Sequence, residues 1–103
     1  MNTINSIIRI LEIPPLKSYN NILRTKFRAE LPYVRNKVEY HAIVDCTIWG
    51  ELACDLVNYY HINDYALIEG YVLTLPNSKE NQSNITLNIV RLYPFLFKFE
   101  ISN

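Results

Sequence analysis

Strict alternation of apolar and polar side chains over residues 22–31 is the feature that most limits how this chain can fold. A β-strand sends successive side chains to opposite faces, so the segment is predicted to be a strand with one buried and one exposed face. The predicted buried face consists of Leu23, Thr25, Phe27, Ala29 and Leu31. The predicted exposed face consists of Ile22, Arg24, Lys26, Arg28 and Glu30, so three consecutive outward positions carry positive charge.

Further segments alternate with the same period at 6–13, 38–49, 65–75 and 85–93, and each is predicted to be a strand. Pro32 is expected to end the second strand, because proline lacks the N–H that a β-ladder needs. Residues 33–37 and 76–83 are then expected to form hairpin loops. In 38–49 the predicted core face consists of Tyr40, Ala42, Val44, Cys46 and Ile48, which leaves Trp49 on the outer face.

The period changes after Gly50, where a short helix is predicted. Its apolar stripe consists of Leu52, Leu56, Tyr59 and Tyr60, at positions i, i+4, i+7 and i+8. Asn63 is expected to adopt a left-handed conformation just beyond the end of the helix.

The order of three strands, one short helix and two strands predicts an all-β fold. A chain of 103 residues supports one domain, and antiparallel strands of this size must close or pack to remove their edges. A five-stranded Greek-key OB-fold barrel, with the helix between strands three and four, fits this order best. A small open β-sandwich and an SH3-like barrel are the alternatives. Residues 1–94 are assigned to the barrel, and residues 95–103 to an apolar extension that adds a sixth strand or covers a partner.

The charges balance at ten basic and ten acidic residues, which argues mildly against holding nucleic acid by bulk charge alone.

No apolar run is long enough to span a membrane. The start of the chain lacks the features of a signal peptide, so a cytoplasmic or organellar location is expected. Heavy use of asparagine, isoleucine and tyrosine suggests an AT-rich genome.

Chemistry-bearing residues are sparse, and no enzyme activity, cofactor or metal site is expected. Cys46, Cys54, His41 and His61 lack the spacing of a zinc site, and the two cysteines are expected to be reduced thiols. With two glycines in the whole chain, no glycine-rich phosphate loop exists. His41 and Asp45 share a strand face, but such pairs are common on non-catalytic surfaces.

Several short motifs, in this order and spacing, resemble the bacterial-type single-stranded DNA-binding protein family over residues 5–94. The strongest is Trp49-Gly50-Glu51-Leu52-Ala53, which looks like the family's aromatic–glycine helix start. Ile68-Glu69-Gly70 looks like its glutamate–glycine in strand four, and Phe27-Arg28-Ala29 like its second strand. The primosomal replication protein that shares this fold is similar in pattern, and so is a small plastid-encoded reading frame of algae.

The resemblance implies binding of single-stranded DNA without marked sequence specificity, in replication, recombination or repair; RNA stays open. Trp49 matches a base-stacking position, although a Trp there could instead fill a barrel end or a subunit contact. Tyr33 lies near a second family aromatic. Phosphate contacts are expected from Arg24, Lys26 and Arg28, with Arg35 and Lys37 as further candidates, although an ordinary solvated strand face is the alternative.

Some positions depart from the family pattern and favour a second interpretation, a protein-interaction OB module with weak or no nucleic-acid binding. Ile43 stands where tryptophan is frequent, and Asp45 stands where a cation is frequent. The segment 76–83 contains no aromatic residue, whereas family members often stack a base there.

An outward apolar surface predicts self-association, as a dimer or tetramer, because a monomer rarely leaves such a patch exposed. Its predicted members are Leu67, Tyr71, Leu73, Phe95 and Phe97. Burial of the phenylalanine-rich tail on its own barrel is the alternative. With the family resemblance, the composition also points to a plastid.

Overall fold

The computed structural model describes residues 3–74 and 85–95, which form six strands and one helix. The elements are β1 (Thr3–Ile10), β2 (Lys17–Tyr19), β3 (Ile22–Arg35), β4 (Val38–Trp49), α1 (Glu51–Tyr59), β5 (Tyr65–Thr74) and β6 (Ile85–Pro94). The loop predicted at 76–83 and the tail beyond Phe95, Phe97 included, lie outside the described residues. Within the described ranges, no helix is long and apolar enough to cross a membrane.

Five long strands close into a barrel in the order β1-β5-β6-β4-β3, and β3 returns to β1. All neighbours are antiparallel except β4 and β6, which run parallel. The helix lies in sequence between β4 and β5, and the short β2 adds to the free edge of β3. This arrangement confirms the predicted OB-fold barrel.

Closure depends on β1, which pairs with two different strands. Thr3 to Arg9 pair with β5, and Arg9 and Ile10 pair with β3. Two backbone hydrogen bonds extend this junction: the Ile10 N–H donates to the Asp64 carbonyl at 2.9 Å, and the Leu11 N–H donates to the Arg28 carbonyl at 2.9 Å. β1 therefore covers edges of both β5 and β3 that would otherwise be open.

The alternation predicted from the sequence is the alternation of burial in the barrel. Phe27, Ala29 and Leu31 of β3 are buried, and their neighbours in the chain point outward. The remaining core consists of Ile8, Ile10, Val44, Cys46, Ile48, Ala53, Leu56, Ala66, Ile68, Leu87, Ile89 and Leu92. Tyr40, predicted to face the core, is instead 43% exposed because β4 extends there beyond the barrel.

The helix packs on the barrel with a face slightly rotated from the predicted stripe. Ala53 and Leu56 are fully buried and Tyr60 is half-buried, whereas Tyr59 is 72% exposed. Spacings of three and four residues separate the first three, so they share one side of the helix. The prediction that Tyr59 belongs to the buried stripe was wrong, since the helix ends at this residue and the next one, Tyr60, has an extended backbone.

Pro32 does not end β3, and the predicted loop at 33–37 shrinks to two residues. β3 continues to Arg35 and pairs with β4 without interruption as far as Arg35 and Val38. Asn36 and Lys37 form the turn with φ angles of 54° and 62°, which is typical of a type I′ hairpin. Proline is tolerated at position 32 because β3 has a neighbour there on one side alone. We call residues 32–41, which extend beyond the barrel, the arm.

The strand β2 was missed by sequence reasoning. It has three residues, follows Pro14-Pro15, and pairs with Ile22 to Arg24 of β3. β2 and β3 are joined by a turn at Asn20 and Asn21, whose φ angles are 51° and 65°. A strand of three residues is too short to show a period.

A β-bulge in β6 explains a change in its buried positions. The ladder pairs Glu69 with Arg91 and then Gly70 with Ile89, so Val90 is the extra residue. A Cβ placed on Gly70 would lie 2.5 Å from the backbone oxygen of Asn88. Glycine is therefore required here by the close approach of two backbones.

Replacing Gly70 by alanine is expected to lower the free energy of unfolding by about 1–3 kcal/mol, as extra atoms in packed positions commonly do. Urea unfolding, followed by the fluorescence of the single tryptophan, measures the loss. Asn5→Ala, at an exposed position of β1, is the control. A loss for Gly70→Ala no larger than that of the control would contradict the close approach.

Candidate nucleic-acid interface

A groove of about 510 Å³ lies on the outer face of β3 and β4, beneath the chain that connects β1 to β2. Cations on its walls come from β2 and β3, namely Lys17, Arg24, Lys26 and Arg28. Carboxylates come from Glu12, in the connection, and from Asp45, in β4. Four cations face two carboxylates, so the groove is positive although the whole chain is neutral.

The connection that forms one wall is tied to the barrel by a buried hydroxyl. Thr25 points inward from β3, is 2% exposed, and donates to the Pro14 carbonyl at 3.3 Å, with the Pro15 carbonyl at 3.5 Å. The consecutive prolines limit the conformations of this wall. Sequence alternation placed Thr25 on the inner face, and its hydrogen bond explains why a polar residue is acceptable there.

An aromatic cluster lies at one end of the groove and consists of Tyr19, Arg24 and Trp49. Arg24 is directly opposite Trp49 in the ladder of β3 and β4. The guanidinium carbon of Arg24 lies 4.7 Å from the centre of the Tyr19 ring and 5.3 Å from that of Trp49. The two rings meet edge to face, with centres 6.4 Å apart. Trp49 keeps 37% of its surface exposed, as expected for an outward residue.

The other two predicted cations of β3 have different surroundings. Arg28 lies 3.6 Å from a carboxylate oxygen of Asp45 and 4.0 Å from one of Glu12. Lys26 forms no ion pair with any residue that the structure describes. Lys26 is thus more available to an incoming anion than Arg28. This difference could not be predicted, because Glu12 is distant from Arg28 in the chain.

The predicted residues Tyr33, Arg35 and Lys37 lie on the arm and not in the groove. Because the ladder is unbroken, the odd-numbered Tyr33 and Arg35 point to the side of the hairpin opposite Arg24, Lys26 and Arg28. Tyr33 stacks on Tyr40, with ring centres 5.3 Å apart and 20° between the planes, and both rings are exposed. Lys37 is in the turn. The structure therefore divides the predicted site into two groups.

Two candidate residues were missed by sequence reasoning, Lys17 and Tyr19. Both belong to β2, and the strand brings them beside β3 and Arg24. A basic and an aromatic residue just before the Asn20-Asn21 turn were the available signal, but the three-residue strand hid their location.

The predicted association surface lies on the other side of the barrel, on β5. Leu67 and Leu73 are exposed and Tyr71 is half-buried. Leu67 is paired with Ile7 of β1 and Tyr93 of β6, so three strands contribute to one apolar row. The Phe95 N–H extends the ladder by donating to the Tyr65 carbonyl at 3.0 Å.

Neither cysteine forms a disulfide, and the described residues contain no group of three side chains able to hold a metal ion. Cys46 is buried in the core behind the groove, and burial raises the pKa of its thiol to about 12. The thiol stays protonated at neutral pH and acts as a small apolar side chain.

The chain is 33% identical over 102 residues to a protein of Trieres chinensis named "Putative single-stranded DNA-binding protein ycf41". The match covers 93% of this chain and 90% of that protein. The chain belongs to the ycf41 family. The resemblance to single-stranded DNA-binding proteins seen in the sequence motifs is confirmed at the level of the family. No protein-family model matches the chain.

Solved structures with the same barrel have low sequence identity to this chain. The SSB domain of a Synechococcus protein matches with a TM-score of 0.69 at 20% identity, over 90% of this chain and 94% of that one. The protein priB from Ralstonia solanacearum matches with 0.72 at 7% identity, over 92% and 99%. A small single-stranded DNA-binding protein from Streptomyces coelicolor matches with 0.72 at 13% identity, over 93% and 96%. At these identities the likeness establishes the fold.

In this chain, the positive face of β3 ends at Glu30, which is contacted by Arg9 of β1 and His41 of β4. Arg9 Nε donates to Glu30 Oε1 at 3.1 Å, and Arg9 Nη1 donates to Asn63 Oδ1 at 2.7 Å. His41 Nδ1 lies 3.6 Å from the same Glu30 oxygen. The hydrogen bond from Arg9 keeps the pKa of the Glu30 carboxyl below its ordinary value of about 4.5.

Acid is therefore expected to weaken this junction. Since the pKa of Glu30 is lowered in the folded state, its contribution is present above about pH 4.5 and is lost as the pH falls through the folded value. Glu30→Gln should reduce the fall in the free energy of unfolding between pH 5 and pH 3, measured by urea titration.

Arg9→Gln should reduce the slope of stability against pH as Glu30→Gln does, and the double variant should reduce it no further. Equal slopes in the wild type and in Glu30→Gln would show that this carboxylate is not coupled to Arg9.

Proposed function

We propose that this protein binds single-stranded DNA without marked sequence specificity and performs no catalysis. The observation that supports it most is the groove, where four cations lie beside an exposed tryptophan. This is the combination by which such proteins hold a strand, since aromatic rings stack bases and cations follow the backbone. The name of the Trieres chinensis relative agrees with the proposal.

Stacking on Trp49 is proposed as the main source of affinity in the groove. A stacked base contributes about 1–3 kcal/mol, and every base offers a flat face, so stacking tolerates all sequences. Lys17, Arg24 and Lys26 would contact the phosphates. Arg28 would contribute less, because phosphate must compete with Asp45 and Glu12 for the same guanidinium.

The arm offers a second proposed contact surface. Tyr33 and Tyr40 present an exposed pair of stacked rings, and Arg35 and Lys37 lie near the turn. Tyr33 and Arg35 lie on the side of the hairpin opposite Arg24, Lys26 and Arg28, so a strand would have to pass around the arm to reach them. DNA and RNA would both fit this chemistry, since phosphates and base faces are common to the two.

Binding to a dye-labelled oligo-dT should raise fluorescence anisotropy at low salt, and the affinity should fall steeply as salt rises. Lys26→Gln should weaken binding and reduce the salt slope by about 0.7, the value for one phosphate contact on a single strand. Arg91→Gln is the matched control, because Arg91 is an exposed cation of β6 that pairs with Glu69 at 3.3 Å, away from the groove. An unchanged anisotropy at low salt for the wild type would refute the proposal.

A protein-interaction module is the second candidate, favoured by the two carboxylates around Arg28. A groove of mixed charge suits an acidic and basic protein surface as well as it suits a phosphate backbone. The two candidates are distinguished by a pull-down and the oligo-dT titration together: one stoichiometric protein partner, with no change of anisotropy at low salt, would favour the interaction module.

Self-association through the outer face of β5 is also proposed. The row of Ile7, Leu67 and Tyr93 and the exposed Leu73 form an apolar surface on the side opposite the groove, so a second copy would leave the groove open. Tyr71 contributes beside them, and Phe95 would extend the surface.

Leu67→Lys is expected to convert a dimer or tetramer into a monomer, because it places a charge in the apolar row. Light scattering after size exclusion, at micromolar concentration, gives the mass. Asn58→Lys, at an exposed position of α1, is the control for added charge alone. A wild-type protein that is monomeric under these conditions would contradict the assembly.

A plastid location is proposed from the composition and from membership in the ycf41 family. Fractionation of cells, with an antibody against the chain, tests it.

A further inference from the structure

In the free protein, Arg24 of the groove wall contacts the rings of both Trp49 and Tyr19. The guanidinium lies over this ring at 5.3 Å and over Tyr19 at 4.7 Å, so both rings hold the same cation. Cation–π contacts of this kind fix the orientation of the planar guanidinium. Part of the proposed base-stacking surface is thus occupied by a side chain of the protein itself, while 37% of the surface of Trp49 stays exposed.

The two rings approach Arg24 from opposite sides of β3. Trp49 of β4 is paired with Arg24 itself, and Tyr19 of β2 is paired with Ile22, two residues before Arg24 in β3. The Asn20-Asn21 turn, with both φ angles positive, keeps β2 against β3 and so keeps Tyr19 in place. The neighbouring cation Lys26, two residues along the same face, has no ring contact among the described residues.

We propose that Arg24 is a displaceable cover of Trp49, which leaves the ring when a base stacks there and moves to a phosphate of the same strand. This inference rests on the proposed function. A nucleotide supplies both replacements, since its base takes the place of the guanidinium on the ring and its phosphate receives the guanidinium. A cation–π contact at an exposed site is weaker than the stacking of a base, so the exchange favours binding.

Arg24 then has two roles, and Lys26 shares the phosphate contact but not the cover of the ring. Without ligand it shields the indole and keeps it oriented for stacking. With ligand it adds a phosphate contact, which is counted in the salt dependence of binding. Because the two roles use the same side chain in turn, they can be separated by substitutions that keep or remove the charge.

The experiment uses the fluorescence of Trp49, the single tryptophan of the chain. Acrylamide quenching in the free protein reports how well the ring is covered, and titration with oligo-dT over a range of salt gives the number of phosphate contacts. Arg24→Gln should raise the quenching constant and reduce the salt slope by about 0.7. Arg24→Lys should also raise the quenching constant, because an ammonium does not lie flat on a ring, but it should keep the slope.

Lys26→Gln is the matched control, and it should reduce the slope while leaving the quenching constant of the free protein unchanged. The exchange is overturned if Arg24→Gln has the same salt slope as the wild type. It is also overturned if the two proteins have the same quenching constant. Failure of the wild type to bind oligo-dT at low salt overturns the proposed function and the exchange together. Normal binding with an unaltered Arg24→Gln slope overturns the exchange alone.

Discussion

Closure of the barrel by β1 is the constraint on which the rest of the structure depends. The strand leaves β5 and joins β3 at Arg9 and Ile10, and Arg9 reinforces this point by binding Glu30 of β3 and Asn63 before β5. Without this junction both strands would have open edges. Closure also fixes the curvature of β3 and β4, and their outward side chains become the floor of the groove.

The fold was predictable because buried and exposed residues alternate along the strands. Phe27, Ala29 and Leu31 are buried for the reason that the sequence suggested, a period of two against a single core. This alternation does not reveal where a strand ends or which strand lies beside it. Pro32 lies within a strand because its neighbour is missing on one side, and Val90 shifts the register in response to a contact made by the backbone of Gly70.

The same limit applies to the candidate site: the face on which a residue lies was predictable, and its contacts with distant residues were not. Arg24, Lys26, Arg28 and Trp49 could be placed on one outer face from local alternation, and the structure places them there. Their partners come from distant parts of the chain, so the contacts of Arg28 with Glu12 and of Arg24 with Tyr19 could not be predicted. The three cations of one strand differ in electrostatic surroundings for this reason alone.

The arm has a consequence for how relatives of this protein can vary in length. Its ladder is regular from Arg24 and Trp49 to Arg35 and Val38, and a two-residue turn closes it. Two residues added to each strand would lengthen the hairpin while every barrel residue kept its face and its partner. A single residue added to one strand would reverse the faces beyond it. Evolution can therefore alter the reach of this hairpin in even steps, at little risk to the barrel beneath it.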